Sequence, residues 1–88
     1  MNILEKRNSI LGLEFDSYMR EHPEFAEMIP DNAHIILLWE GDEEFNKWSI
    51  NLGRKQAEKG QPLVYVKIKK LRPVHSRIEE LELEQVAV

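Results

Sequence analysis

The stretch "HIILLWEGDEEFNKW", residues 34–48, decides the fold because it joins an apolar run to an amphipathic segment. Residues 34–40 are apolar between their two ends and rich in residue types that favour strands, which predicts a strand covered on both faces. The segment that follows carries Phe45, Trp48 and Leu52 on one side at helical spacing. Because strands covered on both faces are typical of parallel sheets, we expect this strand and helix to begin a crossover unit.

A second strand completes that unit. The helix is expected to span about residues 42–59 and to end with Lys59 and Gly60, a cation followed by a residue suited to a left-handed stop. Residues 63–71, "LVYVKIKKL", are then predicted to form a strand with Tyr65 and the first two lysines on its polar face. Strands joined through one helix by short loops are expected to lie parallel in one sheet.

The N-terminal third is predicted to be helical. Asn2 caps a first helix, and Glu5 stands where it completes a variant of the capping box. The apolar stripe of this helix consists of Leu4, Leu11, Phe15, Tyr18 and Met19. Pro23 ends the helix and is suited to open a second, short helix at its first position.

The C-terminal segment carries two competing patterns. Ser76 and Glu79 form a capping box that would begin a helix, whereas "EELELEQV", residues 79–86, alternates acid and leucine with the period of a strand. We favour a strand that runs antiparallel to residues 63–71, with its leucines toward the core. The facing charges would then be Glu80, Glu82 and Glu84 on the tail and Lys67 and Lys69 on the strand. Each such pair adds only about 0.2 to 1 kcal/mol, so the pairs help to choose the register.

These elements predict one small α/β domain over residues 1–88, with a mixed three-stranded sheet packed by two main helices and one short helix. The sheet combines the parallel strand–helix–strand unit with the antiparallel C-terminal strand. A chain of 88 residues buries only about 60 to 65% of its unfolded surface, so it gains stability by burying more against a partner subunit. A homodimer is therefore the expected state.

The composition limits which cellular compartments and which kinds of chemistry are expected. The chain has no cysteine, which excludes disulfides, thiolate metal ligands and a cysteine nucleophile, and is compatible with the cytosol. The N-terminus lacks the apolar core of a signal peptide, and no apolar run approaches the roughly 18 residues that cross a bilayer. We expect a soluble cytoplasmic protein with no membrane partner.

Charge is arranged in blocks along the chain, although the formal net charge is only −4. Residues 14–31 carry six acids and one arginine, and residues 79–84 carry four glutamates. Between them, the basic residues of the segment 54–77 are Arg54, Lys55, Lys59, Lys67, Lys69, Lys70, Arg72 and Arg77, against the single acid Glu58. Such blocks favour self-pairing or a partner of opposite charge, and the C-terminal segment is a candidate contact for a protein partner.

Four acids precede or open the second main helix: Glu40, Asp42, Glu43 and Glu44. A carboxylate at Asp42 is suited to accept hydrogen bonds from the free amides of the first turn, and the next two acids lie at the positive end of the helix dipole. A magnesium site at the carboxyl end of the strand is the competing interpretation. We favour capping, since the spacing lacks the ligand count and the glycine-rich phosphate cradle of known motifs, and we predict no metal and no cofactor.

Catalytic patterns are weak. The three histidines, His22, His34 and His75, share no zinc spacing. His75 and Ser76 lie together in "RPVHSR", but neighbouring side chains of an extended segment point apart, so helix capping by Ser76 is favoured over catalysis. The sequence also lacks a nucleophile elbow, a P-loop and a dinucleotide fingerprint. We expect the protein not to be an enzyme.

The basic end of the second strand is the candidate binding site. Its residues are Tyr65, Lys67, Lys69, Lys70 and Arg72, with His75 in the loop that follows. Nucleic-acid binders combine such cations with exposed aromatic rings on which bases stack. Against this, only one aromatic residue is interleaved and the tail glutamates are placed to neutralise the lysines. Nucleic-acid binding is therefore the second hypothesis.

The succession "EFDSYMREHPEFAEMIPDNAHIILLWEGDEEFN" followed by "GQPLVYVKIKKL" resembles a short prokaryotic domain family that has no assigned function. The resemblance covers nearly the whole chain. It implies a stand-alone small α/β protein and supplies no catalytic residues.

The leading hypothesis is a non-catalytic homodimeric interaction or regulatory module, of the kind found as the neutralising partner in toxin and antitoxin operons. Nucleic-acid binding through the basic strand end is the first alternative. Metal-assisted hydrolysis by acids at the end of the first strand is the second.

Overall fold

The computed structural model describes residues 2–73 and 76–86. Its helices and strands follow one another as α1 (Ile3–Glu21), α2 (Pro23–Glu27), β1 (His34–Trp39), α3 (Glu43–Gln56) and β2 (Leu63–Ile68). The predicted α/β class, the two main helices and the short helix are confirmed. So is the central strand–helix–strand unit, which carries the candidate site residues Tyr65 and Lys67.

The sheet contains β1 and β2, which pair in parallel. The register joins His34 to Leu63 at one end and Trp39 to Ile68 at the other. Both strands stop earlier than predicted. The last hydrogen bond between them runs from Glu40 N to Ile68 O at 3.0 Å, and the first strand then ends in a turn at Gly41, whose φ is +89°. The left-handed region is open to glycine at little cost.

The predicted antiparallel strand at residues 79–86 is not a strand in this structure. Residues 76–86 have no regular secondary structure, and all their side chains are exposed. Leu81 retains 69% and Leu83 retains 88% of its accessible surface. A segment that buries no side chain gains nothing to offset the conformational entropy lost on ordering, so its alternating pattern alone does not fix it as a strand.

Helix boundaries follow the predicted caps except at the end of α3. Asn2 Oδ1 accepts a hydrogen bond from Glu5 N at 2.8 Å, and Pro23 is the first residue of α2. The helix α3 ends at Gln56, before the predicted stop at Lys59 and Gly60. Gly60 does have a positive φ of 79°, but it lies in the turn beyond the helix.

Gln61 holds the turn that follows α3. Its Oε1 accepts a hydrogen bond from Glu58 N at 2.9 Å, and its Nε2 donates to Asn32 O at 2.9 Å. The loop before β2 is thereby tied to the loop before β1, which brings the starts of the two parallel strands together. A non-local hydrogen bond of this kind leaves no signal in helix propensity.

The core lies where α1, β1 and α3 meet. Leu11, Leu37 and Phe45 form its fully buried centre. Partly buried residues packed against this centre are Leu4, Phe15, Ile35, Trp39, Trp48, Val66 and Ile68. The predicted inward stripe of α1 is thus confirmed for three of its members. Tyr18 is an exception, because it is 43% exposed and stacks on His22 with ring centroids 4.0 Å apart.

The helix α3 covers the edge of β1 that faces away from β2. In the parallel ladder the even-numbered residues of β1 bond to β2, as His34 N does to Pro62 O at 2.7 Å, so the odd-numbered backbone groups point away. Asn46 Oδ1 accepts from Trp39 N at 2.7 Å, and Asn46 Nδ2 donates to Trp39 O at 2.8 Å. Ser49 Oγ donates to Leu37 O at 2.8 Å. Polar side chains of a helix therefore stand where a further strand would pair.

Candidate interaction site at the open edge of the sheet

Among the residues that the structure describes, none covers the outer edge of β2 in this way. The same ladder directs the backbone groups of its even-numbered residues toward β1, so those of Leu63, Tyr65 and Lys67 point outward. Within residues 2–73 and 76–86 no strand pairs with this edge. A row of free N–H and C=O groups is a template for another strand, and peptide recognition by strand addition uses such an edge.

The two faces of β2 differ in polarity. On the first face Tyr65 is 46% exposed, with Leu63 and Lys67 exposed on either side. On the second face Val66 and Ile68 are half-buried and contact the core. A strand added to this edge would therefore meet polar and basic groups on one face and apolar groups on the other.

An apolar flank of α1 lies close to the second face. Ile3 and Ile10 are exposed at a spacing of seven residues, which places them on one side of the helix. Together with neighbouring side chains they border an open groove of about 430 Å³. Its lining residues are Ile3, Lys6, Arg7, Ile10, Leu11, Trp39 and Leu71. The groove combines apolar walls with Lys6 and with Arg7, which is paired with Asp42, so Lys6 is the cation that suits an apolar segment carrying acids.

The predicted basic residues lie partly on β2 and partly beyond its end. Lys67 lies on β2 beside Tyr65, whereas Lys69, Lys70 and Arg72 follow the end of the strand and are exposed without regular secondary structure. His75, the sixth residue predicted for this site, lies outside the described residues.

Sequence reasoning missed Arg54 as a member of this surface. Its Nη2 donates a hydrogen bond to Tyr65 Oη at 3.2 Å, which brings a cation from α3 onto the face that carries Lys67. The only sequence signal was that Arg54 lies in the basic last turn of the helix. Which strand residue that turn meets depends on how the helix packs, and local sequence does not determine this.

The acids that open α3 serve as predicted, with one addition. Asp42 Oδ1 accepts a hydrogen bond from Phe45 N at 3.1 Å, so the cap is confirmed. Asp42 Oδ2 forms an ion pair with Arg7 of α1, which sequence reasoning did not predict. Across residues 2–73 and 76–86, no group of three or more His, Asp or Glu side chains is placed to hold a metal ion. Both oxygens of the best-placed acid are engaged by protein donors.

The acidic C-terminal segment is open along its length. The side chains of Ile78, Leu81, Leu83 and Val86 are each more than half exposed and alternate with or flank glutamates. Ser76 does not cap a helix, and its Oγ instead accepts a hydrogen bond from Ile78 N at 3.2 Å. Such a local turn leaves the rest of the segment free to contact another surface.

The chain belongs to a protein family described as "Family of unknown function (DUF5647)", whose model matches residues 3–81. The matched region contains every helix and strand of the fold and stops within the acidic segment. No curated protein and no solved structure matches the chain. None of the described helices is both long and apolar enough to cross a membrane.

Proposed function

We propose that this protein is a non-catalytic interaction module that works as a homodimer, with the open edge of β2 as its binding surface. The carrying observation is that the backbone groups of Leu63, Tyr65 and Lys67 point outward at an edge of β2 with which no strand of the described residues pairs. In the proposed dimer a third strand completes the sheet. A regulatory, antitoxin-like role is the form of this function that the charged C-terminal segment favours.

Two physical arguments support a partner at this edge. Exposed edges with apolar neighbours are sites of strand pairing, which proteins otherwise block with bulges, prolines or covering elements. The edge of β1 is covered by polar groups of α3, whereas β2 lacks such cover among the described residues. A small chain also has few residues with which to build a core, and burial against a partner adds to it.

The test is the mass in solution combined with a backbone block at the edge. Size-exclusion chromatography with light scattering is expected to give twice the chain mass of 10.4 kDa. The substitution Lys67→Pro removes an N–H that points outward while sparing the bonds between β1 and β2. It is expected to shift the protein to a single chain.

The matched control is Lys67→Ala, which removes the same side chain and keeps the N–H. It is expected to leave a dimer, and circular dichroism checks that both variants stay folded. A wild-type mass of 10.4 kDa at every concentration tried contradicts the proposal. So does a folded Lys67→Pro protein that dimerises as well as Lys67→Ala.

Nucleic-acid binding is the second candidate, and the contact between Arg54 and Tyr65 favours it. The contact adds a cation to the one face of the sheet that already exposes an aromatic ring and Lys67. Stacking on an exposed ring beside cations is how single strands are held without strict sequence preference. We place it second because Tyr65 is the only aromatic residue on β2.

A further inference from the structure

We propose that residues 79–86 of a second copy supply the third strand of the sheet, antiparallel to β2, and that two copies exchange these segments reciprocally. This inference rests on the proposed homodimer and names what fills the open edge. The site and its occupant are then both encoded in one chain, as in domain-swapped dimers.

The polarity of the segment matches the edge. Successive side chains of a strand point to opposite faces, so Glu80, Glu82 and Glu84 share one face while Leu81 and Leu83 share the other. The two leucines would extend the apolar face formed by Val66 and Ile68, beside the exposed flank of α1 at Ile3 and Ile10. Burying apolar side chains that are now in water supplies the favourable free energy.

Charge complementarity sets the side and the register. Lys67 lies on β2 and Lys69 directly after it, both are exposed, and the three glutamates would face them across the strands. Directly opposed acids and bases stabilise a pair of strands, whereas like charges in the same places destabilise it. A register shifted by one residue would put the glutamates against the apolar face, which excludes it.

The course of the chain favours a second copy over the segment's own sheet. Residues 69–73 contain no turn, and Pro73 disfavours a helical conformation at Arg72. The Cα radius of gyration is 18.3 Å, compared with about 12 Å for a compact chain of 88 residues. To pair with its own β2, a segment that leaves the end of that strand must first reverse its direction completely. Pairing with the edge of a second copy requires no such reversal.

A charge-exchange experiment tests the proposal on the full chain. One variant carries Lys67→Glu and Lys69→Glu, and the other carries Glu80→Lys and Glu82→Lys. Each alone sets like charges between β2 and the exchanged segment, and its dimer is expected to be at least tenfold weaker than that of the wild type. Mixed together, the two variants restore opposite charges at both exchanged strands, because each supplies what the other's edge requires.

Native mass spectrometry, with a mass tag on one variant, is expected to show the mixed dimer in large excess over either homodimer. The tenfold weakening is measured by analytical ultracentrifugation. As a control, Lys47→Glu and Lys55→Glu make the same charge change on α3 and are expected to leave dimerisation unchanged.

The outcomes separate the two proposals. A monomeric wild type overturns both the homodimer and the exchange. Dimers that stay as strong in both charge variants as in the wild type overturn the exchange and leave the homodimer standing. The exchange is also overturned if both variants dimerise weakly and mixing them does not restore a strong dimer. The lysines and glutamates would then pair within one chain or act at another surface.

Discussion

Arg7 of α1 and Asp42 at the start of α3 form an ion pair between residues 35 positions apart in the sequence. Asp42 also caps α3 through Phe45 N. One carboxylate therefore fixes where α3 begins and holds α1 against the corner between β1 and α3. This corner borders the groove that contains Arg7 and Trp39, so its geometry shapes the apolar flank of the proposed interface.

Replacing Asp42 with alanine is expected to destabilise the fold by about 1 to 2 kcal/mol, because a capping oxygen is lost and Arg7 loses its partner. Thermal unfolding followed by circular dichroism measures this as a fall in Tm of several degrees. Arg7→Ala is expected to cost less than about 1 kcal/mol, since its side chain is partly exposed and the cap survives. Glu40→Ala, an exposed acid two residues before Asp42, is the control and should change stability by under about 0.5 kcal/mol. Equal costs for Asp42→Ala and Glu40→Ala would contradict the double role.

Gly53 lets α3 approach β1, so Gly53→Ala is expected to destabilise the protein by about 1 to 3 kcal/mol. A Cβ at this position would lie 2.5 Å from Ile36 Cγ1 and 2.6 Å from its Cδ1, and Ile36 is itself buried. Urea unfolding measured by tryptophan fluorescence gives the free energy of unfolding.

The matched control is Gly12→Ala, at the other glycine inside a helix. There a Cβ would meet only Leu37 Cδ1 at 3.9 Å, an ordinary contact, so the gain in helix propensity of about 0.5 to 1 kcal/mol should remain. The change in the free energy of unfolding is therefore expected to have opposite signs for Gly53→Ala and Gly12→Ala. Stabilisation by Gly53→Ala would show that α3 lies farther from β1 than described.

Asn46→Ala is expected to cost about 1 to 3 kcal/mol, because Trp39 N would lose its hydrogen-bond partner in a partly buried place. Trp39 O would lose one of its two donors and keep the other, Asp42 N at 3.1 Å. In the same variant the amide hydrogen of Trp39 should exchange with solvent faster than in the wild type. Nuclear magnetic resonance measures this hydrogen exchange residue by residue. Asn51→Ala removes an exposed asparagine from the same helix and should be neutral or slightly stabilising. A protected Trp39 amide in Asn46→Ala would mean that another group covers this edge of β1.

The nucleic-acid hypothesis predicts that the combined change Lys67→Gln, Lys69→Gln and Lys70→Gln abolishes salt-sensitive retention on heparin or RNA. If each lysine neutralises one phosphate, the slope of log affinity against log salt should fall by about 2 for a single strand. The control variant combines Lys47→Gln, Lys55→Gln and Lys59→Gln, the same loss of charge on α3 and the turn after it. Equal loss of retention in both variants would indicate a net-charge effect and no specific site.

Local patterns in the sequence predicted a large part of the fold. The continuous apolar run at residues 34–40 predicted a strand covered on both sides, and Ile36, Leu37 and Leu38 are buried. The caps at Asn2 and Asp42 were also predictable, since a cap involves residues three positions apart. The parallel pairing followed from the short loops on either side of the amphipathic helix.

Contacts between distant segments were not predictable from such patterns. The turn after α3 is tied to the loop before β1 by the hydrogen bond from Gln61 to Asn32, and the basic face gains Arg54 through its contact with Tyr65. At residues 79–86 the alternation is a strand pattern, yet those residues pair with nothing in the described part of the chain. The alternation of acids and leucines predicts which side chains would share a face, but a strand also needs the edge of another strand to pair with.

By itself, the sequence determined which segments form helices and strands, where the three helices begin, and that the two strands run parallel. Only the tertiary structure decided that α3 covers one edge of the sheet, that no described strand pairs with the other edge at β2, and that Arg7 reaches Asp42. The physical reason is the distance along the chain over which each interaction acts. Periodicity and capping act within about one helical turn, whereas edge cover and ion pairs between elements depend on how completed helices and strands pack.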